Sequence, residues 1–194
     1  MGLTIHYKGK LNNANQLKSL IEDVKDVARA EKWSFFVFKE QFERETFSDV
    51  IDKKNLYGIM ISPPKCEPLC ITFLSNGRMT GICNYNLLQL GNQTEDELIY
   101  NVFTKTQYSS CENHIKLILL LDYLNKNYLI DFECMDEGFF WETRDEELLI
   151  KTFKKYNNLI DSLTSSIEMI PKNNGENIED YILRMAEVTN KNLK

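Results

Sequence analysis

Ser75-Asn76-Gly77 sits between two β-rich runs, residues 68–74 and 78–85, and no other feature so narrows what this chain can fold into. Asn-Gly in that setting specifies a tight hairpin, because a type I′ turn needs positive φ at both central residues and these two types accept it most readily. An antiparallel pair is therefore predicted in the middle of the chain. Before it, Leu3, Ile5 and Tyr7 alternate with Thr4, His6 and Lys8, the pattern of a half-buried strand. Leu17, Leu20, Ile21, Val24, Val27 and Ala28 then recur at the spacing of one helical face, with Asn13 or Asn15 to cap it and an end near Lys32. Strands are predicted at 33–38 and at 56–62, the latter stopped by Pro63-Pro64, since proline donates no ladder bond and restricts its predecessor.

After the hairpin, 98–103 reads as a strand, although Thr94 with Glu97 forms a capping box that would open a short helix instead. Ser109 with Glu112, or Ser110 with Asn113, caps a helix bearing Ile115, Ile118, Leu119 and Tyr123 to about Asn127, before a strand at 128–134. Thr143 and Glu146 form another capping box, opening a long helix through Leu149, Phe153, Tyr156 and Ile160, and a last helix spans about 177–190. The predicted class is α+β: a mixed, mostly antiparallel sheet with the Asn-Gly hairpin, helices packed on one face, and a helical C-terminal region. One domain over residues 1–194 is expected, with an α+β core at about 1–142 and C-terminal helices at about 143–194. Residues 3–38 and 98–134 share a strand–helix–strand shape, as an internal repeat would; any α+β chain also shows such units.

Composition excludes several classes. With 43% hydrophobic and 11% aromatic residues, the chain falls outside the disordered regime. Its longest aliphatic run, 115–121, is interrupted by Lys116 and is far short of the ~20 residues that span a bilayer, so no membrane insertion and a cytoplasmic location are expected. Five scattered cysteines, an odd number, fit reduced and mostly buried thiols. No basic stripe accompanies the net charge of −6, which argues against nucleic-acid binding.

That charge is local. Residues 131–147 hold eight carboxylates against one base, Arg144, for a charge of −7. Asp145, Glu146 and Glu147 suit the first turn of the long helix, where carboxylates meet the orphan N–H groups, and Asp131 and Glu133 suit the wet face of a strand. Left unexplained is the segment from Asp136 to Glu142, where Phe139, Phe140 and Trp141 are bracketed by carboxylates. Trp141 either packs on the following helix or, with Glu137 and Glu142, meets a cationic partner through ion pairing and cation–π contact.

A second candidate is the polar junction from Lys105 to His114. Cys111 falls in the first helical turn, where the dipole favours a thiolate, and His114 lies three residues on, with Lys105 and Gln107 nearby to hold an anionic substrate. Against that chemistry, a lone cysteine is usually a small hydrophobe and no nucleophile motif surrounds it. Cys66, Cys70, Cys111 and His114 can be written as a zinc set, but Cys70 in a strand reads as a core thiol, so no metal and no cofactor is expected. No phosphate loop, dinucleotide fingerprint or hydrolase elbow is present, and with only His6 and His114 the pool of histidines for proton transfer is small.

The opening Gly2-Leu3-Thr4-Ile5-His6-Tyr7, the Lys105-Thr106-Gln107-Tyr108 junction with His114, and Trp141-Glu142-Thr143-Arg144-Asp145 together resemble a family of uncharacterised bacterial proteins over about residues 2–156. The resemblance implies no activity. The sequence thus favours binding over catalysis: an acidic–aromatic surface, with Glu137, Trp141 and Glu142 as anchors, contacting a basic protein or a cationic ligand as an inhibitor or immunity protein does. The alternative is a small-molecule enzyme centred on the Lys105 to His114 junction.

Overall fold

A computed structural model describes residues 3–91 and 97–192. The fold is α+β. In chain order the elements are β1 (Thr4–Leu11), α1 (Leu17–Ala30), β2 (Ser34–Val37), β3 (Tyr57–Ser62), β4 (Leu69–Phe73), α2 (Ile82–Gln89), β5 (Val102–Lys105), α3 (Cys111–Asn127), β6 (Leu129–Asp136), α4 (Phe140–Thr143), α5 (Glu146–Met169) and α6 (Ile178–Asn192). The chain divides into two compact units, Met1–Ile150 and Lys151–Lys194, with the division inside α5.

The first unit holds two antiparallel three-stranded sheets, ordered β5-β1-β6 and β2-β3-β4. The expected alternation of β1 holds: Leu3, Ile5, Tyr7 and Leu11 are buried and the residues between them are not. Helix α1 packs on β2 and β3, and α3 packs on β6. Of the two strand–helix–strand stretches, only the second returns to its own sheet, with β1 lying between β5 and β6. In the first, α1 carries the chain from one sheet to the other.

The hairpin forms, with two corrections. Gly77 takes φ 78° but Asn76 is not among the positive-φ residues, and Gly77 N–H donates to the Leu74 carbonyl at 2.9 Å while Leu74 N–H donates to that of Arg78 at 3.0 Å. This is the three-residue loop in which only the last position is left-handed, not a type I′ turn. The return arm is also short. Only Arg78 and Met79 bridge, to Lys10 and Phe73, and Ile82 already opens α2, so the second half of the strand expected over 78–85 is helix. Leu11 N–H donates to Gly77 O and Met79 N–H to Gly9 O, which makes this arm the seam between the sheets. Tyr7 reinforces the seam: its hydroxyl donates to the Cys70 carbonyl at 3.0 Å and accepts from the Cys70 amide at 3.1 Å.

Residues 97–100 form a short 3-10 turn before β5; Thr94, its expected cap, lies outside the described residues. Ser110 caps α3, its hydroxyl accepting from Asn113 N–H at 3.1 Å. The cap of α5 is Asp145, which accepts from Leu148 N–H at 3.0 Å, rather than Thr143. In the second unit Asn177 caps α6 and Arg184 pairs with Glu176 at 2.8 Å, which brings the Glu176 carboxyl down to about 2. Among the described residues no helix is long and apolar enough to cross a membrane.

Candidate functional site

The two segments singled out in the sequence meet in the core, at Asp136. This last residue of β6 is 2% exposed, and its carboxylate accepts from the amides of Gly138 (2.7 Å), Phe140 (2.8 Å) and Trp141 (3.1 Å). An Asp two residues before Gly closes a local turn in this way, and the same oxygens supply the orphan amides at the start of α4. On its other side Asp136 meets Nε2 of His114, 3.0 Å from Oδ1 and 3.1 Å from Oδ2. Nδ1 of that ring lies 2.7 Å from the hydroxyl of Thr106, which also lies 3.3 Å from the Leu3 carbonyl. Thr106 and His114 have no exposed surface. Burial alone would raise the Asp136 carboxyl, but the imidazole and the amides aimed at it outweigh that and hold it below the ordinary range.

Gly138 makes this packing possible. A Cβ at that position would lie 2.6 Å from Leu149 Cδ1 and 3.0 Å from both Asp136 Oδ1 and His114 Nε2. Phe139 and Arg144, at φ 62° and 56°, bracket α4 in the left-handed region. For side chains of this bulk that conformation costs about 1–2 kcal/mol each, so the buried network must over-determine it. α4 was not foreseen: four residues carry no periodicity, and its nucleus is a side chain outside it.

Above the network lies a surface. Phe139 is 52% exposed and Glu142 is exposed, while Phe140 points inward. Trp141 is half-buried, 5.7 Å from the Phe132 ring, and the Arg144 guanidinium sits 5.1 Å over its indole, so the chain supplies its own cation there. Arg144 also pairs with Asp122 at 3.5 Å. Glu137 accepts from Thr4 N–H at 2.8 Å and lies 4.0 Å from His6 Nε2, which makes it a clasp between β1 and β6 as well as a surface carboxylate.

The expected site residues separate accordingly. Asp136, taken from the sequence as part of the acidic surface, is a buried acceptor. His114 spends both ring nitrogens inside the core and faces no solvent, while Cys111 is half-buried at the start of α3. Lys105 is half-buried, its ammonium 5.8 Å from the Tyr108 ring centre, and Gln107 is 2% exposed with neither amide atom hydrogen-bonded. The zinc set is not assembled, and among the described residues no three His, Cys, Asp or Glu side chains group to hold a metal. Thr106 was named in its junction but given no role; with Thr104, Tyr108, Ser109 and Ser110 around it, nothing in the sequence singles out its hydroxyl as the partner of His114.

Compared with known proteins, the chain matches no family model, no curated protein and no solved structure. The likeness carried by its short motifs therefore rests on those motifs alone.

Proposed function

We propose that this protein is a cytosolic, non-enzymatic binding protein whose acidic–aromatic surface around α4 meets a basic protein segment, as an inhibitor or immunity protein does. The observation that carries this reading is Phe139: a bulky aromatic in the left-handed region, half exposed, fixed from beneath by a buried network with no opening to solvent. Strain of this kind persists where surrounding structure holds it, and it clusters at binding sites. Phe139 and Glu142 are the contacts, Glu137 adds a second carboxylate, and Trp141 with Arg144 forms the firm bed beneath. Aromatic anchors rimmed by carboxylates suit Arg- or Lys-bearing partners.

The test is an array of Lys- and Arg-rich peptides probed with the purified chain at low and high salt. Binding that weakens with salt and is lost in Phe139→Ser and Glu142→Lys supports the reading, because steering by exposed charge is screened within about 8–10 Å at such ionic strengths. Peptides retained equally by both variants would sink it.

A further inference from the structure

A groove of about 370 Å³ runs along the join between β4, β5 and the start of α2, and three of the side chains lining it carry sulfur: Met60, Cys70 and Cys83. Met60 and Cys70 are directly opposed in the β3–β4 register, so their side chains stand side by side on one face of the sheet. Cys83 arrives from the first turn of α2, one residue after Ile82, whose N–H is hydrogen-bonded to the Cys70 sulfur. Pro68, Val102 and Phe103 supply apolar wall, and Glu67, Asn84 and Asn101 line the groove as well. Cys83 is exposed and Cys70 is 8% exposed, so one thiol faces solvent and the other lies at the inner wall.

We propose that Met60, Cys70 and Cys83 form a site for a soft monovalent cation, Cu(I), held by two thiolates and one thioether. Thiolate donors suit both zinc and Cu(I), but zinc closes a tetrahedron of four ligands and takes cysteine, histidine or carboxylate rather than thioether, so a set of two thiolates and one thioether favours Cu(I). An apolar wall suits an ion that accepts two or three sulfurs and needs no bound water. Loading displaces one proton for each thiol that becomes a thiolate as the Cu–S bonds form, with no change in oxidation state.

The test is anaerobic titration with Cu(I), supplied as its acetonitrile complex, against the chromophoric chelator bicinchoninate, with sulfur-to-copper absorption in the ultraviolet as the direct signal. One ion per chain is expected, with affinity falling about 100-fold in Cys83→Ser and about 10-fold in Met60→Leu, and unchanged in Cys66→Ser and Cys134→Ser. Cys83 is exposed and Leu matches Met in volume, so circular dichroism should show both variants folded. Failure of the wild type to hold copper against the chelator, or retention of full affinity in Cys83→Ser, overturns the site. Full affinity in Met60→Leu overturns the three-sulfur assignment.

Discussion

Replacing Asp136 by alanine removes in one step the acceptor for two buried amides, one partly buried amide and His114. Each main-chain donor left unpaired costs about 1–3 kcal/mol, and removing one partner of a buried, hydrogen-bonded pair costs about 3–5 kcal/mol. These losses overlap, because the turn can open and admit water once its centre is gone, so the expected destabilisation is about 4 kcal/mol. That is a large part of the roughly 5–15 kcal/mol by which domains are stable. In urea, with a dependence of about 1–3 kcal/mol per molar, the midpoint should fall by about 2 M. Unfolding is followed by far-ultraviolet ellipticity and by tryptophan fluorescence, the second reporting on Trp33 in the core and on α4 through Trp141. Asp136→Asn, which keeps a carbonyl oxygen for the amides but no carboxylate for His114, should fall between. A midpoint shift below about 0.5 M in Asp136→Ala at unchanged slope would refute the reasoning, since no network central to the fold could be removed so cheaply.

The same carboxylate makes stability depend on acid. Its pKa is lowered by folding, so its contribution is complete above the ordinary Asp value of about 4 and is lost as pH falls through the lower native value; wild type should lose stability across that range more steeply than Asp136→Asn in urea melts. Gly138→Ala should cost about 2–3 kcal/mol by thermal or urea unfolding, because a Cβ 2.6 Å from Leu149 must displace a packed side chain, and a cost near zero would mean that the turn yields freely. Tyr7→Phe should cost about 1–3 kcal/mol, as it strands the Cys70 amide beneath the seam. Burial pushes Cys66 and Cys134 up to about 12, so at pH 7.5 both should react with iodoacetamide far more slowly than exposed Cys83, as mass spectrometry of timed samples would show.

Local signals were read well where the fold obeys local rules. The alternation from Leu3 to Tyr7 and the Ser110 cap of α3 each depend on a few neighbouring residues, and both are found where expected. Ile82 to Tyr85 misled because Ile and Tyr after a hairpin suit a strand as well as a helix, and what decides is that the return arm meets Gly9 and Lys10 of β1 and then ends. Asp136 misled more deeply. A count of carboxylates treats it like Glu142, and only the turn at Gly138 and a histidine 22 residues earlier make it the inner pole of that segment. The sequence marked both junctions but carried no sign that they touch.

Strand β1 has a consequence for the order in which the molecule can be built. Its neighbours are far along the chain: Tyr7 meets Thr104 across 97 residues, and Thr4 meets Glu137 across 133. During synthesis, at about 5–20 residues per second, Leu3, Ile5 and Tyr7 leave the ribosome many seconds before any strand that will cover them. Strands β2, β3 and β4, joined by near neighbours, can pair meanwhile. The nascent chain thus carries a sticky, alternating apolar segment until β6 emerges, and that interval, rather than the finished fold, is when a chaperone would find most to hold.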